Sequence, residues 1–140
     1  MGWTFLILGG LLYVAQVISS VNFELAQKLG IQEDADEADS ILQTAERFTA
    51  YWDLVTLGWL PIAGILMIAD HDYWPVVGLI GGAIYLDASG REAAKILSFR
   101  KEGVRLGTEQ QQRVFFASYL VMAFMGLILI GYSINELISK

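Results

Sequence analysis

Three stretches of this chain are apolar for as long as a helix needs to cross a lipid bilayer, and a fourth begins apolar and turns ionic without a break. A spanning helix takes ~20 predominantly apolar residues, within a range of roughly 17–25. Gly2 to Val21 has that length, as do Leu54 to Ala69 with its aromatic flank and Val114 to Ile134. Tyr73 to Leu86 is short alone. It reaches spanning length only with part of the ionic run that follows, which carries Asp87, Arg91, Glu92 and Lys95. Lipid offers no partner to a backbone N–H or C=O, so such segments cross as helices. The expected fold class is all-α: an integral membrane four-helix up-down bundle with cytoplasmic helical extensions. It forms one domain over 1–140, with spans of about 2–21, 49–69, 73–95 and 114–134.

Composition agrees. The chain is 55% hydrophobic, with a mean hydropathy of +0.50, too apolar for an ordinary soluble domain. The formal charge of −6 is unevenly placed, with seven acids and two bases between Asn22 and Arg47. No basic face suits nucleic acid, so the expected partners are the bilayer and other membrane subunits or copies of this chain. Cysteine is absent, which excludes disulfides, thiolate catalysis and Cys-ligated metals. No Lys or Arg precedes the first apolar block and no small-residue cleavage site follows it, so it reads as a retained helix.

Orientation follows from Lys and Arg. Lys28 and Arg47 lie in the first connection, and Arg91, Lys95, Arg100, Lys101, Arg105 and Arg113 lie beyond the apolar half of the third span; only Lys140 falls on the other side. The positive-inside rule puts both long connections in the cytoplasm and both termini outside.

Along the chain, Gln16 is the polar residue of the first span deep enough to need a hydrogen-bond partner. Phe23, Leu25, Leu29 and Ile31 suit a piece lying on the membrane surface, ended by Gly30. Asp34-Ala-Asp-Glu37 has the form of a capping box, predicting helix from about Ala35 into the second span. Ala38, Ile41, Leu42, Ala45 and Phe48 follow at helical spacing. Those acids lack an EF-hand spacing and its glycine, so they read as a solvated cap rather than a cation site. Pro61 removes a backbone donor and should bend the second span. Asp70-His71-Asp72 makes the outer turn, with Asp72 as the expected N-cap and too few ligands for a metal. Thr108-Glu-Gln-Gln111 is a second capping box, opening the last helix.

Gly78, Gly82, Gly90 and Ala94 share a row that invites close contact with a helix of this bundle or of another subunit. Depth brings Asp53, Asp87 and Arg91 to one level near the cytoplasmic boundary, with Gln16, Ser118 and Tyr119 at similar heights. That set, Arg91, Asp87, Asp53, Gln16 and Tyr119, is the candidate polar cluster. It is either a salt-bridge lock or a ligand pocket. No recognised catalytic signature, metal site or cofactor motif is present.

Glu46-Arg47-x-x-x-Tyr51, Gly90-Arg91 and the Ser98 to Gly103 segment resemble the DoxX-like small four-helix membrane proteins, a resemblance that covers the whole four-helix layout. Glu46-Arg47 followed by Pro61, with its outside-inside-outside order, is similar to the membrane-associated eicosanoid and glutathione metabolism family, which implies a homotrimer using glutathione. The Asn and Glu expected between the Glu-Arg pair and the proline are missing, and the helix-3 arginine is placed differently, so no glutathione site is carried over. The function expected is a non-catalytic accessory or structural subunit of a membrane complex. The alternative is a membrane-embedded binding protein, transporter or enzyme taking a small polar or lipid-headgroup ligand at a cytoplasm-facing pocket.

Overall fold

The computed structural model describes residues 1–139; Lys140, the one base expected on the outer side, lies outside them. Six helices follow in order: α1 (Gly2–Val21), α2 (Phe23–Lys28), α3 (Ser40–Thr56), α4 (Trp59–Ile68), α5 (Trp74–Lys101) and α6 (Glu109–Ser139). The protein is all-helical among the described residues, apart from one isolated bridge between Ala38 and Leu106. Three helical stretches are long and apolar enough to cross a membrane: α1, α3 continued by α4, and α6. The ionic second half of α5 keeps it out of that set.

Glycine sets how closely the helices approach. A Cβ on Gly64 would stand 2.6 Å from the Leu6 backbone nitrogen and 2.8 Å from the Gly2 carbonyl oxygen, so α1 and α4 meet backbone to backbone. Likewise a Cβ on Gly82 would lie 2.8 Å from the Gly126 carbonyl oxygen, joining α5 to α6. Both pairs run antiparallel, with Gly2 against Ile68 in one and Gly78 against Ser133 in the other. Between these contacts lies a core of Phe5, Leu57, Leu60, Tyr85, Met125 and Leu129. Large apolar side chains also point outward all round, among them Trp3, Leu11, Val55 and Phe124. Such a surface suits lipid rather than water.

The second long segment breaks as Pro61 requires, at Leu57 and Gly58, between α3 and α4. Proline cannot donate to the carbonyl four residues back, so the Leu57 C=O loses its helical partner. Tyr85 fills the gap: its hydroxyl reaches the Leu57 carbonyl at 3.3 Å and the Gly9 carbonyl at 3.4 Å. The side chain is fully buried, and this one group ties α1, the break and α5 together. Tyr85→Phe keeps the ring and strands the carbonyl. Leaving a buried acceptor unpaired costs ~1–3 kcal/mol, so a loss of that size is expected in reversible unfolding in detergent. Unchanged stability would show that the hydroxyl contributes nothing.

The 22–39 connection differs from its expected form. Helix begins at Ser40, not near Ala35, and Asp34 closes a turn instead, its carboxylate accepting the Asp36 N–H at 3.1 Å. A long-range contact overrides the local cap. Ala38 pairs in extended form with Leu106, while Asp39 accepts from the Arg105 backbone N–H at 2.9 Å and from its Nε at 2.8 Å. Those two Arg105 donors hold the Asp39 carboxyl below its usual range. Beneath this staple sits a second core of Ala38, Leu42, Ile96 and Leu106. At the opposite end the residue capping α5 is Tyr73 rather than Asp72, because Asp70 turns the chain with φ 50°. The Thr108–Gln111 box forms reciprocally, Gln111 N–H to Thr108 Oγ1 at 3.2 Å and Thr108 N–H to Gln111 Oε1 at 3.1 Å.

Candidate functional site

Where α1, α3, α5 and α6 meet the 22–39 connection, they line a half-open cavity of about 220 Å³. Its wall carries four carboxylates, Glu33, Glu46, Asp53 and Glu92, with Gln16, Gln32, Thr49 and Tyr119. Leu12, Ala15, Ala88 and Met122 supply its apolar part.

Each acid arrives by a separate route. Leu42, Glu46, Ala50 and Asp53 form the buried stripe of α3, and Glu92 lies on the buried face of α5 with Ala88, Ser89 and Ile96. Glu33 comes from the connection, after Gly30 reverses the chain with φ 72°. Its backbone carbonyl accepts from Gln27 Nε2 at 3.0 Å, and its neighbour Gln32 donates to Ser19 Oγ at 3.1 Å. Both glutamines fix the connection over the cavity.

Two bases answer the four acids. Lys95 Nζ lies 2.8 Å from Glu46 Oε1 and 2.5 Å from Glu92 Oε2, and 3.3 Å from Thr49 Oγ1. Arg91 Nη2 lies 3.3 Å from Asp53 Oδ1, joining α5 to α3 a second time. Glu33 has no such partner. It is 3% exposed, and its Oε2 is buried without a hydrogen bond. Burial pushes its carboxyl above the ordinary range; its own backbone N–H and then Lys95 oppose the shift, and the nearby Glu92 charge adds to it. Gln16 Oε1, on the same wall, is also buried and unpaired.

The sequence-based cluster is rearranged accordingly. Asp53, Gln16 and Tyr119 line the cavity, and Arg91 sits behind Asp53. Asp87 is exposed and lines no part of the cavity. Arg91 pairs across to α3 rather than back along its own helix to Asp87. At 3.6 residues per turn, Asp87 lies ~140° round α5 from Glu92, so the two cannot share a face. Glu33, Glu46 and Glu92 complete the site although none of them belonged to the predicted cluster, and Lys95 takes the central counter-ion role. Of the glycine row, Gly78 packs on Ser133 and Leu129 and Gly82 on Gly126 and Ile130, whereas a Cβ on Gly90 would meet nothing within 4 Å.

Four carboxylates and two bases around a half-open cavity leave an excess of negative groups. Such groups draw protons or a bound cation, because unpaired buried charge is costly. The acids are spread along three segments, and among the described residues no three His, Cys, Asp or Glu side chains are grouped to hold a metal ion. Acids spread in this way offer acceptors at several points of the wall. Comparison with protein-family models, curated proteins and solved structures returns no match for this chain.

Proposed function

We propose that this protein is a four-helix integral membrane bundle that binds a small organic cation, an ammonium or amidinium compound, at its cytoplasm-facing cavity. In this reading α1, α3 with α4, α5 and α6 cross the bilayer in alternating directions. The 22–39 and 102–108 connections then face the cytoplasm and both termini face outward, as the Lys and Arg bias requires. Impermeant thiol labelling of single cysteines placed at Ser98 and Ser139 in intact cells should modify position 139 alone. The reverse pattern would overturn the orientation.

The observation that carries the binding reading is Glu33 Oε2, buried and unpaired on the wall of a cavity that three other carboxylates share. Glu46 and Glu92 are held by the Lys95 ammonium and Asp53 by Arg91, whereas Glu33 has no ion-pair partner among the described residues. The volume of about 220 Å³ lies below the ~300–1,000 Å³ typical of drug-sized ligands, so the head group held there has few atoms. Propylammonium titrated into the purified protein in detergent, followed by calorimetry, should bind saturably. Glu33→Gln should abolish that binding while retaining the helical circular-dichroism spectrum. Absence of saturable heat in the unmodified protein, or binding indifferent to Glu33→Gln, would defeat the assignment.

A second reading, a non-catalytic accessory subunit or homo-oligomer, rests on Gly90 facing open space on an apolar exterior. The rest of the glycine row is occupied within the chain. The DoxX-like resemblance fits either reading as a four-helix proposal.

A further inference from the structure

The cavity is not closed on all sides. α1 packs on α3 and α4, and α6 packs on α5, but α1 and α6 do not form a packed pair. In the seam between them lies an apolar groove of about 380 Å³, lined by Leu8, Leu11, Ala117 and Val121 together with Leu12, Val114 and Ser118. Those last three residues also line the acidic cavity, so groove and cavity share a wall. The Ser118 hydroxyl donates to the Val114 carbonyl of its own helix at 3.0 Å. Its proton is thereby engaged and only its oxygen can still accept, so the groove presents mostly carbon.

From this adjacency we infer that the ligand is a single-chain amphiphile with a cationic nitrogen head, entering sideways from the membrane between α1 and α6. The inference rests on the cation-binding reading above and adds the tail and the route. The head would occupy the acidic cavity, with the unpaired Glu33 oxygen and Gln16 Oε1 as acceptors for its N–H groups. The hydrocarbon would lie along Leu8, Leu11 and Val121. Charge decides against a phospholipid, since a phosphate would be drawn in beside four carboxylates. It equally disfavours a fatty acid. A free short amine would satisfy the cavity but leave the groove unused.

The test measures affinities for dodecylammonium, propylammonium and dodecanol in phosphatidylcholine nanodiscs, with empty nanodiscs subtracted. Dodecylammonium is expected to bind at least tenfold more tightly than propylammonium, and dodecanol not to compete with it. Ala117→Trp fills the groove from an exposed position, so it should erase the advantage of the long chain and leave propylammonium binding intact. Equal affinities for the two amines, or a long-chain advantage that survives Ala117→Trp, would overturn the amphiphile while the cation reading stands. Competition by dodecanol would make the groove an ordinary lipid crevice, and stabilisation by added phosphatidylethanolamine would make a phospholipid the occupant; either overturns the inference. Failure of both amines to bind would remove the underlying reading as well.

Discussion

Lys95→Met is expected to be among the most destabilising single changes in this chain. The ammonium sits 2.8 Å from Glu46 and 2.5 Å from Glu92, with its side chain 18% exposed and theirs 9%. Removing one partner of a buried ion pair costs ~3–5 kcal/mol, because the other charge is left without compensation. Here two carboxylates would be stranded together, at the junction that holds α3 to α5. The sign of the effect is tested by adding Glu46→Gln and Glu92→Gln. If stranded charge is the cause, the triple variant should recover much of the loss seen with Lys95→Met, since the amides remove the repulsion while keeping the shapes. Equilibrium unfolding in detergent reads both steps. A Lys95→Met protein as stable as the parent would show that the carboxylates take up protons at no cost, and the network would no longer count as a lock. An Arg91→Met change should be milder, because the Arg91 side chain is 39% exposed and solvent screens its pair with Asp53.

The sites missed by sequence reasoning have two physical origins. Ala38, Ile41, Leu42, Ala45 and Phe48 lie at helical spacing in the sequence, and in a soluble helix such a stripe marks the inside; of these, Ala38 and Leu42 are buried. Ile41 and Phe48 in fact point outward, at 57% and 68% exposure, and the buried stripe is Leu42, Glu46, Ala50 and Asp53. Against lipid the apolar residues lose their power to discriminate, and the ionisable ones become the better guide to the interior. Glu46 and Asp53 are seven residues apart, two turns on one face, and that spacing was legible. Glu33 was not. It sits beside Asp34, Asp36 and Glu37, which are exposed, and only the chain reversal at Gly30 and the Ala38–Leu106 bridge separate it from them. A contact 68 residues away in sequence leaves no local trace in periodicity or capping.

What local chemistry does decide was readable in advance. The break at Pro61 and the Thr108–Gln111 box need only their immediate neighbours. The pairing of Arg91 with Asp53 was legible for a different reason. Two helices joined by a short turn must run antiparallel, which fixes the relative height of residues on each. Depth alone does not fix rotation about the helix axis, which is why Asp87 was grouped with them and the structure turns it away.

The same limit governs the glycine row, and it separates two substitutions that sequence alone treats alike. A Cβ on Gly82 would meet the Gly126 carbonyl oxygen at 2.8 Å and the Ile130 backbone nitrogen at 3.2 Å, two backbone atoms that cannot rotate aside. Gly82→Ala should therefore push α5 from α6 and cost ~1–3 kcal/mol as overpacking does, with Gly82→Leu well beyond that. Gly90 lies two turns further along the same helix and meets nothing within 4 Å. Gly90→Ala should instead raise stability by ~0.4–1 kcal/mol, because alanine restricts the unfolded chain and favours helix where the site has room. Unfolding free energies of opposite sign are thus expected from one motif. The size of the particle in detergent adds a further reading for Gly90→Leu. If that bulky side chain leaves it unchanged, the open face of α5 meets lipid. If it dissociates an assembled species, a neighbouring helix packs there, and the accessory-subunit reading gains the contact it needs. Should Gly82→Ala prove neutral, the α5–α6 approach must be looser than the backbone contact at Gly126 implies, and the rigid frame behind the acidic cavity would have to be sought elsewhere.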